Sequence, residues 1–198
     1  ERQNAKRYAV PVASSIASAG LRVATASNDA VVAASPDLGD FAAACWLLGE
    51  ESAETDTFDG IEQVIVSGYV AGGGSLLVSG SEVAWDLGFL NAGGFFLENT
   101  LGVTYAADDA GTYTVQGEPG AAFEGVGGSG AGFTFDNGSV WYDAEFPDVF
   151  GVPAGSEVVL RYAGAFGGPA GVAREHASGA RTLTLGFAIE TVVSEADR

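Results

Sequence analysis

Thiol and imidazole chemistry are nearly absent from this chain. Cys45 is its one cysteine and His176 its one histidine, and methionine does not occur. No intrachain disulfide, thiolate metal cluster or two-histidine site can form from such a set. Positive charge is equally scarce. Lys6 is the only lysine, and 8 Lys plus Arg face 26 Asp plus Glu, for a formal net charge of −18. Binding to a phosphate backbone needs clustered cations, so a nucleic-acid partner is not expected, and the same field repels anionic membranes. No apolar run reaches the ~18 residues of a membrane-spanning helix, so no membrane insertion is expected either.

What the chain does have is apolar mass. An apolar fraction of 47% over 198 residues suffices for the core of one domain, and disorder would need low hydrophobicity as well as charge. No internal repeat or linker divides residues 1–198, which read as a single domain. The acidic, cysteine-poor, Gly-rich composition suits a secreted bacterial protein. A start at Glu1 without any methionine is the expected look of a piece of a longer product.

Periodicity predicts the elements. Residues 3–19 read as a helix with Val12, Ile16 and Ala19 on one stripe, which Pro11 either kinks or opens. Leu21–Thr25 reads as a short strand, and Phe41–Leu48 (FAAACWLL) as a strand covered on both faces. Asp56 or Thr57 would cap a helix carrying Phe58, Ile61, Ile65 and Tyr69. Gly72–Gly74 would break it before a second apolar strand, Ser75–Ser79. Strand, helix, strand with short turns is a right-handed crossover that sets the two strands parallel. A short helical stretch through Val83, Trp85 and Leu87 follows, then a helix through Phe95–Leu101. Between 111 and 165, short alternating segments split by Gly-rich turns predict antiparallel strands, and 125–132 a loop. A hairpin around His176 and Gly179 closes the chain.

Chemistry is expected beyond the carboxyl ends of parallel strands, where loops converge. Glu50 and Glu51, Ser81 and Glu82, and Glu190 all fall at such ends. Crowded carboxylates would raise one another's pKa or recruit a cation, unless the loops are polar only because they meet water. Ser81 follows Gly80 on a strand-to-helix turn, where helix amides stabilise an oxyanion, but Gly-x-Ser-x-Gly is absent and His176 is the only available base. His176 itself reads as a surface turn residue and Cys45 as a buried structural thiol. Asp108-Asp109 and Asp136-Asn137-Gly138 resemble loose cation loops without EF-hand spacing, the latter more simply a turn. Ca2+ at Asp108 and Asp109 is the one cofactor in view; otherwise none is implied. Trp46 and Trp85 fit a core better than a sugar platform, which leaves Trp141-Tyr142 as the aromatic pair expected near the surface.

The string from Trp46 to Leu87, with Phe96–Leu101, Tyr105–Asp109 and Leu185–Thr191, resembles a bacterial domain similar to class I glutamine amidotransferases and the ThuA-like proteins. That domain occurs in large secreted proteins often called xanthan lyase or N-acetylmuramoyl-alanine amidase. The likeness is most specific at Gly49-Glu-Glu-Ser and Val78-Ser-Gly-Ser-Glu. It implies an α/β, three-layer flavodoxin-like fold with a mostly parallel sheet, to which the antiparallel C-terminal half is added. It also implies a first strand ahead of the N-terminal helix, in mid-sheet, which this chain lacks. The family's nucleophilic Cys falls where Gly80 or Ser81 stands, and its His-x-Glu corresponds at best to Phe187–Glu190, which keeps the Glu without the His.

Glutamine hydrolysis is therefore expected to be lost. The leading expectation is a pseudoenzyme module for binding or assembly at the bacterial cell surface. Another chain or domain would complete the sheet, with a glycan as a further partner. The first alternative is a hydrolase of glycans or peptidoglycan amides using Ser81 with Glu82, Glu50 or Glu190. The second is a cation-stabilised subunit of an extracellular assembly.

Overall fold

The computed structural model describes residues 8–54, 56–127, 132–164 and 167–198. The first seven residues of the chain, and with them the start of the helix expected over 3–19, lie outside the described residues, as does 128–131 of the expected loop. Helix α1 spans Ala9–Ser18, with Pro11 buried in its first turn, where a missing N–H costs nothing. Leu21–Thr25, expected as a strand, forms none and pairs with no strand among the described residues. A short α2 (Asn28–Val32) starts at Ser27, whose hydroxyl accepts from Ala30 N–H.

The crossover unit forms as its pattern demands. The apolar run becomes strand β1 (Ala43–Gly49), followed by helix α3 (Gly60–Ala71) and strand β2 (Ser75–Gly80). The cap of α3 is Asp59, not Asp56 or Thr57. The Asp59 carboxylate accepts from the amides of Ile61 (2.7 Å) and Glu62 (2.8 Å), and Glu62 accepts from the Asp59 amide (2.9 Å), a reciprocal capping box. The inner stripe of α3 is Val66, Tyr69 and Val70, while Ile61 faces solvent at 60% exposure. Gly74 is obligatory at the turn, because a Cβ there would fall inside the Tyr69 ring.

A π-helical turn at Trp85–Phe89 and a short α4 (Gly94–Phe96), continued by a second such turn through Leu101, carry the chain across the sheet. The remaining strands are β3 (Thr104–Ala107), β4 (Thr114–Gly117), β5 (Phe133–Thr134), β6 (Val149–Gly151), β7 (Ser156–Tyr162), β8 (Pro169–Glu175) and β9 (Arg181–Leu185). Strands β3 and β6 form an antiparallel pair of their own. The others make one curled sheet of order β1-β2-β9-β8-β7-β4-β5.

The α/β class holds, but the sheet is not mostly parallel, and a three-layer flavodoxin-like arrangement does not emerge. Only β1–β2 and β2–β9 are parallel; β9–β8, β8–β7, β7–β4 and β4–β5 are antiparallel. The physical reason lies in the connections. A parallel pair needs a crossover element, and after β2 the Gly-rich links joining β7, β8 and β9 are long enough only for hairpins. One core lies under α3 and the 85–101 segment, where the buried Phe58 ring stacks on Trp46 (5.4 Å) and meets Phe96 (5.0 Å). A second core gathers Val115, Phe135, Tyr162 and Phe187 inside the antiparallel half. Strand β1 is at the sheet's edge rather than covered on both faces, and Cys45 is exposed on it, contrary to a buried thiol.

Candidate functional site

Because β1, β2 and β9 are neighbours, the loops at their carboxyl ends lie side by side. The β1–β2 register shifts between Leu47 and Gly49. The left-handed conformation at Gly49 (φ +63°) then brings its carbonyl to the next turn. There it accepts from the Ser81 amide (3.1 Å) and from the Ser81 hydroxyl (3.5 Å). Ser81 is fully buried by these contacts.

The turn that follows is already occupied from within. The buried Asp148, next to β6, accepts from Ala84 N–H (2.6 Å) and Trp85 N–H (3.1 Å). Its own amide donates to the Ser81 carbonyl (3.0 Å). These are the helix-start amides that an oxyanion would need. Burial pushes the Asp148 carboxyl well above the carboxylate range; the amide of Ala84 pulls the other way, and Glu82 adds to the rise. Asp86 is buried likewise and accepts from the amide (2.8 Å) and hydroxyl (2.7 Å) of Thr57.

The expected base is elsewhere. His176 sits in the β8–β9 turn, with Nε2 3.1 Å from the Thr182 hydroxyl at the start of β9, whereas Glu190 lies beyond that strand's other end. Ser81 and His176 are thus at opposite ends of the sheet, and the structure does not bring them together. Desolvation, and then Arg174, lower the His176 pKa.

The carboxylates do gather. Glu82 is half-buried, and its carboxyl is pushed up to about 7, first by desolvation, then by Asp108, Asp86 and Glu50. Glu50 is raised by burial and by Glu145. Glu190 is 2% exposed; its Oε1 accepts from the Tyr142 hydroxyl (2.6 Å), while Oε2 has no hydrogen-bond partner among the described residues. Burial raises the Glu190 pKa against the pull of that hydrogen bond. A Cβ at Gly49 would stand in ordinary contact, 3.4 Å from both Glu190 Oε1 and the Tyr142 oxygen, so the left-handed φ and not space favours glycine there.

The remaining candidates separate. Asp108 is half-buried and raised by burial and then by Asp109, but the Asp109 carboxylate accepts from Gly111 N–H (2.7 Å) and so closes a turn. Among the described residues no group of three His, Cys, Asp or Glu side chains stands ready to hold a metal ion. Asp136 accepts from the amides of Ser139, Val140 and Trp141, so it too is a turn. Of the aromatic pair, Trp141 is exposed beneath the Arg198 guanidinium, while Tyr142 is buried. Trp46 is core, and Trp85 stacks on the exposed Phe89 at 4.2 Å. A cleft of about 600 Å³ lies away from the carboxylate rim: Val31, Leu38, Phe41, Ile65 and Tyr69 line it near the start of β1.

Asp148 escaped sequence reasoning, and Tyr142, expected near the surface, is instead buried on Glu190. Asp148 binds an amide 64 residues away and Tyr142 a carboxylate 48 residues away, so no local pattern marks either. No protein-family model matches the chain, and neither a curated protein nor a solved structure matches it.

Proposed function

We propose that the chain is a non-catalytic binding or assembly module, an amidotransferase-like pseudoenzyme of a secreted or cell-surface bacterial protein. One observation carries this reading: Asp148 fills the turn amides that would serve an oxyanion, beside a Ser81 hydroxyl that is buried against Gly49 and has no imidazole near it. A nucleophile needs both a base within hydrogen-bond reach and access to its substrate. Ser81 has neither. The test is Ser81→Ala, assayed for release of products from peptidoglycan fragments and bacterial polysaccharides. The wild type and the variant are expected to be equally inactive and equally stable. A hydrolytic activity that collapses in the variant rejects the reading.

A second reading has its own support. Glu82, with a carboxyl at about 7 beside Asp108 and Glu50, carries the proton inventory of a general acid. A hydrolase of glycans or peptidoglycan amides would then run on carboxylates, with Glu50 or Glu190 as base. Product release abolished by Glu82→Gln at unchanged stability selects this reading over the first.

A further inference from the structure

The sheet has two edges, and they are built differently. At one end β5 has only two residues, Phe133–Thr134, and the chain beyond it is bridged from Phe135 to Val192. Short, covered edges of this kind do not recruit strands. At the other end β1 runs for seven residues, AACWLLG, with no charged residue, no proline and, among the described residues, β2 as its one paired strand.

The free side of β1 follows from its register. Ser75 N–H donates to the Ala42 carbonyl, and alternation along a parallel ladder then turns the backbone groups of Ala44 and Trp46 toward β2. The N–H and C=O groups of Ala43, Cys45 and Leu47 point outward, where no strand among the described residues pairs with them. Ala43 and Cys45 are exposed. None of the usual protections of an edge is present along this row: no inward charge, no lysine, no proline.

The ends of β1 differ in chemistry. Its start adjoins the exposed Phe41 and Val32, beside a mixed cleft lined by Val31, Leu38 and Tyr69 together with Asp37. Its end runs into Glu50, whose carboxyl feels Glu145 and Asp143. Extending the module reading above, on which this rests, we propose that the open edge of β1 docks an extended segment of a partner polypeptide, apolar where it passes Phe41 and cationic where it reaches Glu50. Backbone pairing supplies the affinity and the two ends supply the choice of partner. A second copy fits poorly. It carries the same net charge of −18, and residues 41–51 contain no Lys or Arg to offer Glu50.

The test uses the full chain and a short labelled peptide of alternating valine and threonine with a lysine-rich end, made in both directions. Binding is read by fluorescence anisotropy and by protection of the lone Cys45 from alkylation. The peptide is expected to bind in one direction, to lose binding when its edge-facing amides are N-methylated, and to fail against Cys45→Pro, which removes an outward N–H and also fixes φ at that position. The N-methylated peptide decides the matter even if Cys45→Pro does not fold. Glu50→Gln combined with Glu145→Gln is expected to weaken the lysine peptide roughly tenfold and to flatten its salt dependence. No binding in either direction overturns the proposal. Equal binding of a glutamate-ended peptide overturns its cationic half. A concentration-dependent dimer abolished by Cys45→Pro gives the edge to a second copy and overturns it as well. Hydrolysis found in the Glu82 assay would remove the module reading while leaving peptide binding to be scored by itself, so the two fail separately.

Discussion

Asp148→Ala is the most direct probe of how the strand-end turn is held. The substitution removes the acceptor for Ala84 N–H, which is fully buried, and for Trp85 N–H, which is half-buried. A buried donor left without a partner costs about 1–3 kcal/mol. Ala84 takes the upper part of that range and Trp85 the lower, since water reaches it. The sum is about 3 kcal/mol, which for a chain of this size lowers Tm by about 6–12 °C. Asp148→Asn keeps one carbonyl oxygen for one amide, and burial already disfavours the charge; its cost is about 1–2 kcal/mol. Urea unfolding followed by tryptophan fluorescence measures both, with an unchanged m-value confirming that the same surface is exposed. A loss below about 1 kcal/mol for Asp148→Ala refutes the reasoning: the amides would then have another acceptor, and the turn would be open to an oxyanion after all.

The pH dependence has a definite sign. Folding raises the Glu82 carboxyl from 4.5 to about 7, so its contribution is most favourable below pH 4.5 and stability is lost as pH rises toward 7. The interval sets a ceiling of about 3 kcal/mol, which screening at a half-buried site reduces to about 1–2 kcal/mol. Stability measured from pH 4.5 to 7.5 should show this fall in the wild type and a shallower one in Glu82→Gln; identical curves refute the assignment. Gly74→Ala forces the Tyr69 ring off its seat and strains its hydrogen bond to the Phe41 carbonyl, costing about 1–3 kcal/mol by thermal melts. Chelation with EDTA is expected to leave Tm unchanged; a drop reversed by Ca2+ would restore a structural cation at Asp108.

Legibility followed the range of the interactions. The β1-α3-β2 unit is readable because a helix cap, a helical stripe and two apolar runs are written within about forty residues. The position of the cap is not readable to within three residues, since Asp56, Thr57 and Asp59 all have capping side chains and only the backbone selects Asp59. The exposure of Cys45 is not legible, because an apolar run reads as buried on both faces whether or not a neighbouring strand exists. Leu21–Thr25 differs from its pattern for the related reason that strand propensity does not supply a pairing partner.

Composition alone determined that this is an acidic protein with one thiol and one imidazole, so cysteine–histidine catalysis would need that single pair to meet. Local pattern determined a parallel strand pair joined by a capped helix. Tertiary structure decided that His176 and Ser81 lie at opposite ends of the sheet, that Asp148 closes the turn after β2, and that β1 is an edge. Contacts across 64 residues and the identity of a strand's neighbour depend on how the whole chain closes on itself. A window of sequence records a residue's preference for burial or pairing, but not which distant group will meet it.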